Sequence, residues 1–220
     1  MAVIAYPEPT WGVSQQAVPE RSRLRTLTPT PVILTGVMVN LLRLHFVDAS
    51  NIENTLLSYL LWHPDVRQTR IYIDSSENKR KDVVESVPNI YIKRGAVSAE
   101  RIGVGVDDAA VHGSSSEPLY QKKVGGIFSI RIESRVPMET EMLGNEVFLR
   151  MLRFAPVIRR DIGLGLFQVA SLSEVQAMTG KAEGTLYVAV VAVNWSHVVR
   201  WSVVEDAPVL KRLSLTANLV

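Results

Sequence analysis

The chain of 220 residues contains no cysteine. That excludes disulfide staples, thiolate metal sites and a cysteine nucleophile together. Histidine is scarce too. His45, His63, His112 and His197 stand far apart, and none falls in an HExxH or HxH spacing that would put two metal ligands on one element. No stretch approaches the run of about 18 apolar residues that crosses a bilayer. The opening MAVIAYPEPTWGV has no basic segment followed by an apolar one, so no secretory signal is expected and synthesis in the cytoplasm is. Excess charge is also lacking: a formal net charge of +2 exerts no general pull on nucleic acid or anionic lipid.

Motifs for small-molecule chemistry are missing in the same way. Gly103/Gly105 and Gly163/Gly165 lack the third glycine of a dinucleotide fingerprint and lead into apolar β-type runs. Gly125-Gly126 is not followed by the Lys-Ser/Thr of a phosphate loop. Gly113-Ser114-Ser115-Ser116-Glu117 lacks the closing glycine of a nucleophile elbow. Asp107-Asp108 sit side by side at a strand end, where neighbouring side chains diverge. Glu139 and Glu141 fall where acidic residues stabilise a helix start. The residues therefore point away from an enzyme, and no cofactor or metal is expected.

What is present is a packed α+β pattern: 47% of residues are hydrophobic and 21% charged, the balance of an ordinary globular protein. The centre of the pattern is Lys122 to Ser173, which reads as strand, helix, strand. Ile127, Ser129, Arg131 and Glu133 alternate with Phe128, Ile130, Ile132 and Ser134, the period of a half-buried strand. Pro137 opens a helix with acids first and Arg150, Arg153, Arg159 and Arg160 last, an order that complements the macrodipole. Leu143, Val147, Met151, Phe154 and Ile158 give it one buried stripe, and Ala155-Pro156 is expected to kink or restart it. The glycines of the segment are read as turns.

Elsewhere, residues 1–31 read as a proline-rich arm outside the core, either a flexible tail or a segment that docks on a neighbouring subunit with Tyr6 and Trp11 as anchors. Residues 32–208 are expected to form one α+β domain. Val32 to Val47 is read as a strand with Leu42, Leu44 and Phe46 on one face. A helix of roughly three turns follows from Ser50 to Trp62, opened by a Ser50/Glu53 capping box. Thr69 to Asp74, Asn89 to Lys93 and Ile102 to Val106 are short strands. Lys79, Arg80 and Lys81 are flanked by acids and read as a solvated loop. Thr185 to Trp201 is the longest β-type run, expected to complete an antiparallel sheet flanked by helices. Residues 209–220 are a tail or edge strand. Arg150 and Arg153, interleaved with aromatics, are candidate contacts for phosphate or an acidic partner.

The pieces VPNIYIKRG, KVGGIFSIRIESR followed by METEMLGNEVFLRML, and TLYVAVVAVNWSHVVRW, in that order, resemble the tail-terminator and neck proteins of tailed bacteriophages across residues 48–205. The resemblance implies a virion structural protein, made in the host cytoplasm, that forms a hexameric ring at the head-to-tail junction. Its partners would be further copies of itself, the tail tube protein and the head connector or adaptor. DNA would pass through the lumen without sequence readout, and no membrane would be involved. The long N-terminal arm departs from that pattern and leaves open terminator, connector or completion protein. The alternatives are another tail or baseplate component, or a soluble α+β protein-binding module.

Overall fold

The structure, a computed structural model, describes residues 29–78, 88–100, 111–112, 118–180 and 184–202. Helix α1 spans Pro31–Phe46, β1 Tyr72–Ser75, β2 Asn89–Glu100, β3 Val111–His112 and β4 Pro118–Ser134. Helix α2 spans Pro137–Ile162, followed by β5 Leu166–Leu172, β6 Gln176–Gly180 and β7 Gly184–Ser202. The strands form one sheet in the order β1-β2-β4-β7-β5, with β3 on β4 and β6 on β7. Both helices lie on one face. The molecule is therefore α+β, with several corrections to the expected layout.

The first concerns the sheet, which is mixed: β1 pairs with β2 in parallel, while every other pairing is antiparallel. The second concerns the region before it. Val32 to Val47 is a helix and not a strand. Thr30 caps it by accepting from the Ile33 N–H (3.3 Å), and Pro31 occupies the first turn, where its missing amide costs nothing. Leu34, Met38, Leu42 and Phe46 recur four apart and are all buried, whereas Leu44 faces solvent. Pro31, the last residue of the expected arm, is the first residue of this helix.

The expected helix at Ser50–Trp62 is replaced by two single 3₁₀ turns, Ala49–Asn51 and Thr55–Leu57. The Ser50/Glu53 box does not form. Asp48 accepts from the Ser50 N–H (2.9 Å) and Asn54 from the Leu56 N–H (3.1 Å), so short side chains close each turn before a helix can propagate. Glu53 turns instead toward Arg153.

The remaining elements match their patterns more closely. Phe128, Ile130 and Ile132 are buried under the helices together with Ile90, Ile92, Val191, Val193 and Trp195. Leu143, Val147, Met151 and Ile158 of α2 enter this core, with Phe154 half-buried beside them. Helix α2 runs unbroken through Pro156, whose ring faces solvent, and stops at Gly163 (φ 76°), which takes the left-handed conformation of a helix C-cap. The glycines are not all turns. Gly125 and Gly126 lie inside β4, and Thr179-Gly180 belongs to β6. The expected strand at 102–106, Asp107-Asp108, the basic cluster at 79–81 and the tail at 209–220 lie outside the described residues.

Candidate assembly surfaces

The sheet is longer than the helices that cover it. In β2 the first four residues are buried and the following eight, Lys93 to Glu100, are all exposed. Side chains of a strand alternate between faces, so these eight, about 26 Å of strand at ~3.3 Å each, are open on both sides. They remain paired in a three-stranded extension: Val97 to Glu100 lie opposite Gly126 to Lys123, and Gly126 to Leu119 opposite Trp195 to Ser202. Lys123 Nζ and Glu100 Oε2 are 3.0 Å apart across it. Its apolar side chains Val97 and Val198 are exposed, as is Ile127 where it joins the core, while Val124 and Val199 are half-buried and Trp195 is buried.

The place where the extension leaves the core is set by glycine. The β2/β4 register slips between Arg94 and Val97, a bulge that contains Gly95 and Ala96. A Cβ on Gly126 would lie 2.5 Å from the Ala96 carbonyl oxygen, and one on Gly95 2.7 Å from that of Ile127. Only a residue without a side chain permits this approach. Beneath it, Trp195 packs against Phe128 (ring centroids 6.0 Å apart) and stacks on His197 (5.7 Å, 15° between planes). Burial holds the His197 imidazole below its usual pKa.

The two sheet margins differ. On β1, the Arg43 Nε–H donates to the Ile73 carbonyl (3.0 Å), the Thr69 hydroxyl to that of Ile71 (2.6 Å), and the Ser75 N–H to Asp74 Oδ1 (2.7 Å). Side chains thus occupy the groups another strand would use. On β5 the register slips between Val169 and Ser171, a bulge that interrupts the row of outward backbone groups without capping it.

A cleft of about 330 Å³ between α1 and β1 is lined by Val32, Thr35, Asn40, Arg43, Asp74 and Arg94. Arg43 and Asp74 form an ion pair there at 3.2 Å. Asp74 also accepts from the Ser75 amide and from the Tyr72 hydroxyl (3.3 Å), so its carboxylate is committed to the fold. No group of three or more potential metal ligands occurs among the described residues, and no described helix is long and apolar enough to cross a membrane.

Of the candidate interface residues, Tyr6 and Trp11 lie outside the described residues. Arg150 is half-buried with its guanidinium 4.2 Å from the Phe154 ring centroid, and Arg153 is exposed and bonded to Glu53 (Nη2 to Oε2, 2.9 Å). The two do not converge on a single site. Sequence reading missed Glu146, a buried carboxylate that joins α1, α2 and the 3₁₀ segment. It accepts from His45 Nε2 (2.7 Å) and from the amides of Glu53 (3.0 Å) and Asn54 (3.2 Å). Its signal was weak: one glutamate at a core position of the α2 stripe.

No protein-family model matches the chain, and no curated protein is similar to it.

Proposed function

We propose that this chain is a virion structural protein of a tailed phage, a subunit of a hexameric ring at the head-to-tail junction. In this reading the ring caps the tail tube and offers its other side to the head connector, and DNA passes through its lumen without sequence readout. The observation that carries the assembly part is the sheet extension. A three-stranded blade whose β2 strand is exposed on both faces, with exposed Val97, Ile127 and Val198, gains stability by packing against another subunit. Such packing is heterologous, blade against a different surface, and closes into a ring when the rotation between neighbours allows it. The placement at the junction rests on the resemblance of the three sequence pieces described above.

Light scattering coupled to size separation, with negative-stain images of the protein alone and with tail tube protein, tests the reading. Rings are the expected result. A double substitution, Val97→Asp with Val198→Asp, is expected to abolish them while the circular dichroism spectrum is retained. A protein that stays monomeric under all these conditions would refute the ring, and rings indifferent to the double substitution would refute the blade as its contact.

A further inference from the structure

Helix α2 carries a second apolar stripe that the described residues leave largely exposed, only Met142 of it packing against the core. Its inner face is spent on the core: Leu143, Gly144, Val147, Met151, Ala155 and Ile158 are buried. On the outer side, Met138, Met142, Asn145, Leu149, Leu152 and Pro156 follow one another at spacings of four, three, four, three and four. That is the heptad seam of a helix that packs against another helix. Met138 is 67% exposed, Leu149 44% and Leu152 47%, and Asn145 and Pro156 are exposed too, with Met142 half-buried. The seam is flanked by exposed Leu56 and Tyr59, held beside α2 by bonds from Glu53 to Arg153 and from the Tyr59 hydroxyl to Glu139.

The charges along the helix select the occupant. Glu139 and Glu141 stand in the first turns, Arg153, Arg159 and Arg160 in the last. Glu141 and Arg159 have no bonded partner among the described residues, while Glu139 is bonded to Tyr59 and Ser134, and Arg160 to Asp161 (2.8 Å). A parallel copy would set arginine ends side by side. An antiparallel copy sets the acidic end of each helix against the basic end of the other. The heptad register agrees: with Leu149 of one helix level with Leu152 of the other, Met142 meets the aliphatic stem of Arg159, Asn145 meets Pro156, and Glu141 comes level with Arg160.

We propose that the outer seam of α2 binds α2 of a second copy of this chain, antiparallel about a two-fold axis between Leu149 and Leu152. This contact is isologous and uses a different surface from the sheet extension, so it stands or falls apart from the ring.

The absence of cysteine makes the test direct. Full-length Met142→Cys and Arg159→Cys variants are oxidised separately and as a mixture, with thermal melts to verify folding. An inter-chain disulfide in the mixture, and none in either variant alone, is expected. Cross-linking of each variant with itself would show parallel pairing and overturn the proposal, and so would no cross-linking in any sample. In sedimentation equilibrium, Leu149→Glu with Leu152→Glu, both at exposed positions, is expected to weaken pairing by about 100-fold or more; unchanged pairing would overturn it. Rings without the disulfide leave only the ring standing, and the disulfide without rings leaves only the helix pair.

Discussion

Replacing Glu146 by alanine perturbs the junction on which α1, α2 and the 3₁₀ segment converge. The carboxylate is 5% exposed and accepts three hydrogen bonds, from His45 Nε2 and the amides of Glu53 and Asn54. His45 is itself 1% exposed, and its Nδ1 has no hydrogen-bond partner among the described residues. Removing the acceptor therefore leaves a buried imidazole with neither nitrogen satisfied and two amides that must find water. Deleting one member of a buried, hydrogen-bonded pair costs about 3–5 kcal/mol. In a protein of this length each kcal/mol lowers the melting midpoint by about 2–4 °C, so a fall of roughly 6–20 °C is expected. Glu146→Gln keeps one acceptor oxygen but aims an amide at a donor, and about 1–3 kcal/mol is expected. The control is Arg153→Ala, which removes only the exposed pair with Glu53 and is expected to cost under about 1 kcal/mol. Urea and thermal unfolding measure all three. A loss below about 1 kcal/mol for Glu146→Ala would refute the reasoning, because it would mean that the junction rearranges freely.

Two further outcomes follow from the waist of the sheet. Gly126→Ala places a Cβ 2.5 Å from the Ala96 carbonyl oxygen and 3.4 Å from Trp195 Nε1; because the nearer obstacle is backbone, about 1–3 kcal/mol of destabilisation is expected in urea melts, with faster amide exchange in β2 beyond Lys93. His197 has a depressed pKa in the folded state because burial penalises its charged form. The unfolded chain thus binds the proton more readily, and stability falls as pH drops below the ordinary histidine value of 6.5, levelling off beneath the folded pKa. His197→Phe retains the stack on Trp195 and is expected to remove that part of the slope between pH 7 and 5, a range set at roughly the histidine titration; an unchanged slope in melts across it would count against the assignment.

Periodicity made the central elements legible. The alternation of Phe128, Ile130 and Ile132, the stripe from Leu143 to Ile158, and the long run of β7 each encode burial in local spacing, and each was found where that spacing places it. Helix α1 was misread because Val32, Ile33, Val37 and Val39 look β-like, although the four-residue recurrence of Leu34, Met38, Leu42 and Phe46 and the Thr30-Pro31 start were available. β-branched residues prefer strands only weakly, and packing overrides them. At Ser50–Trp62 the reverse occurred: a helical spacing was present, but Asp48 and Asn54 closed the backbone locally into turns.

The amino-acid sequence by itself determined which faces are apolar, where α2 begins and ends, and that no thiol chemistry is available. Those properties depend on neighbours within a few residues. Tertiary structure decided the rest. The parallel pairing of β1 with β2, Glu146 as the joint between α1 and α2, and the reach of the sheet beyond its helices all depend on groups far apart in the chain. Gly125 and Gly126 show the division: the chain reads them as a turn, and only the approach of the Ala96 and Trp195 backbones shows why a side chain is excluded there.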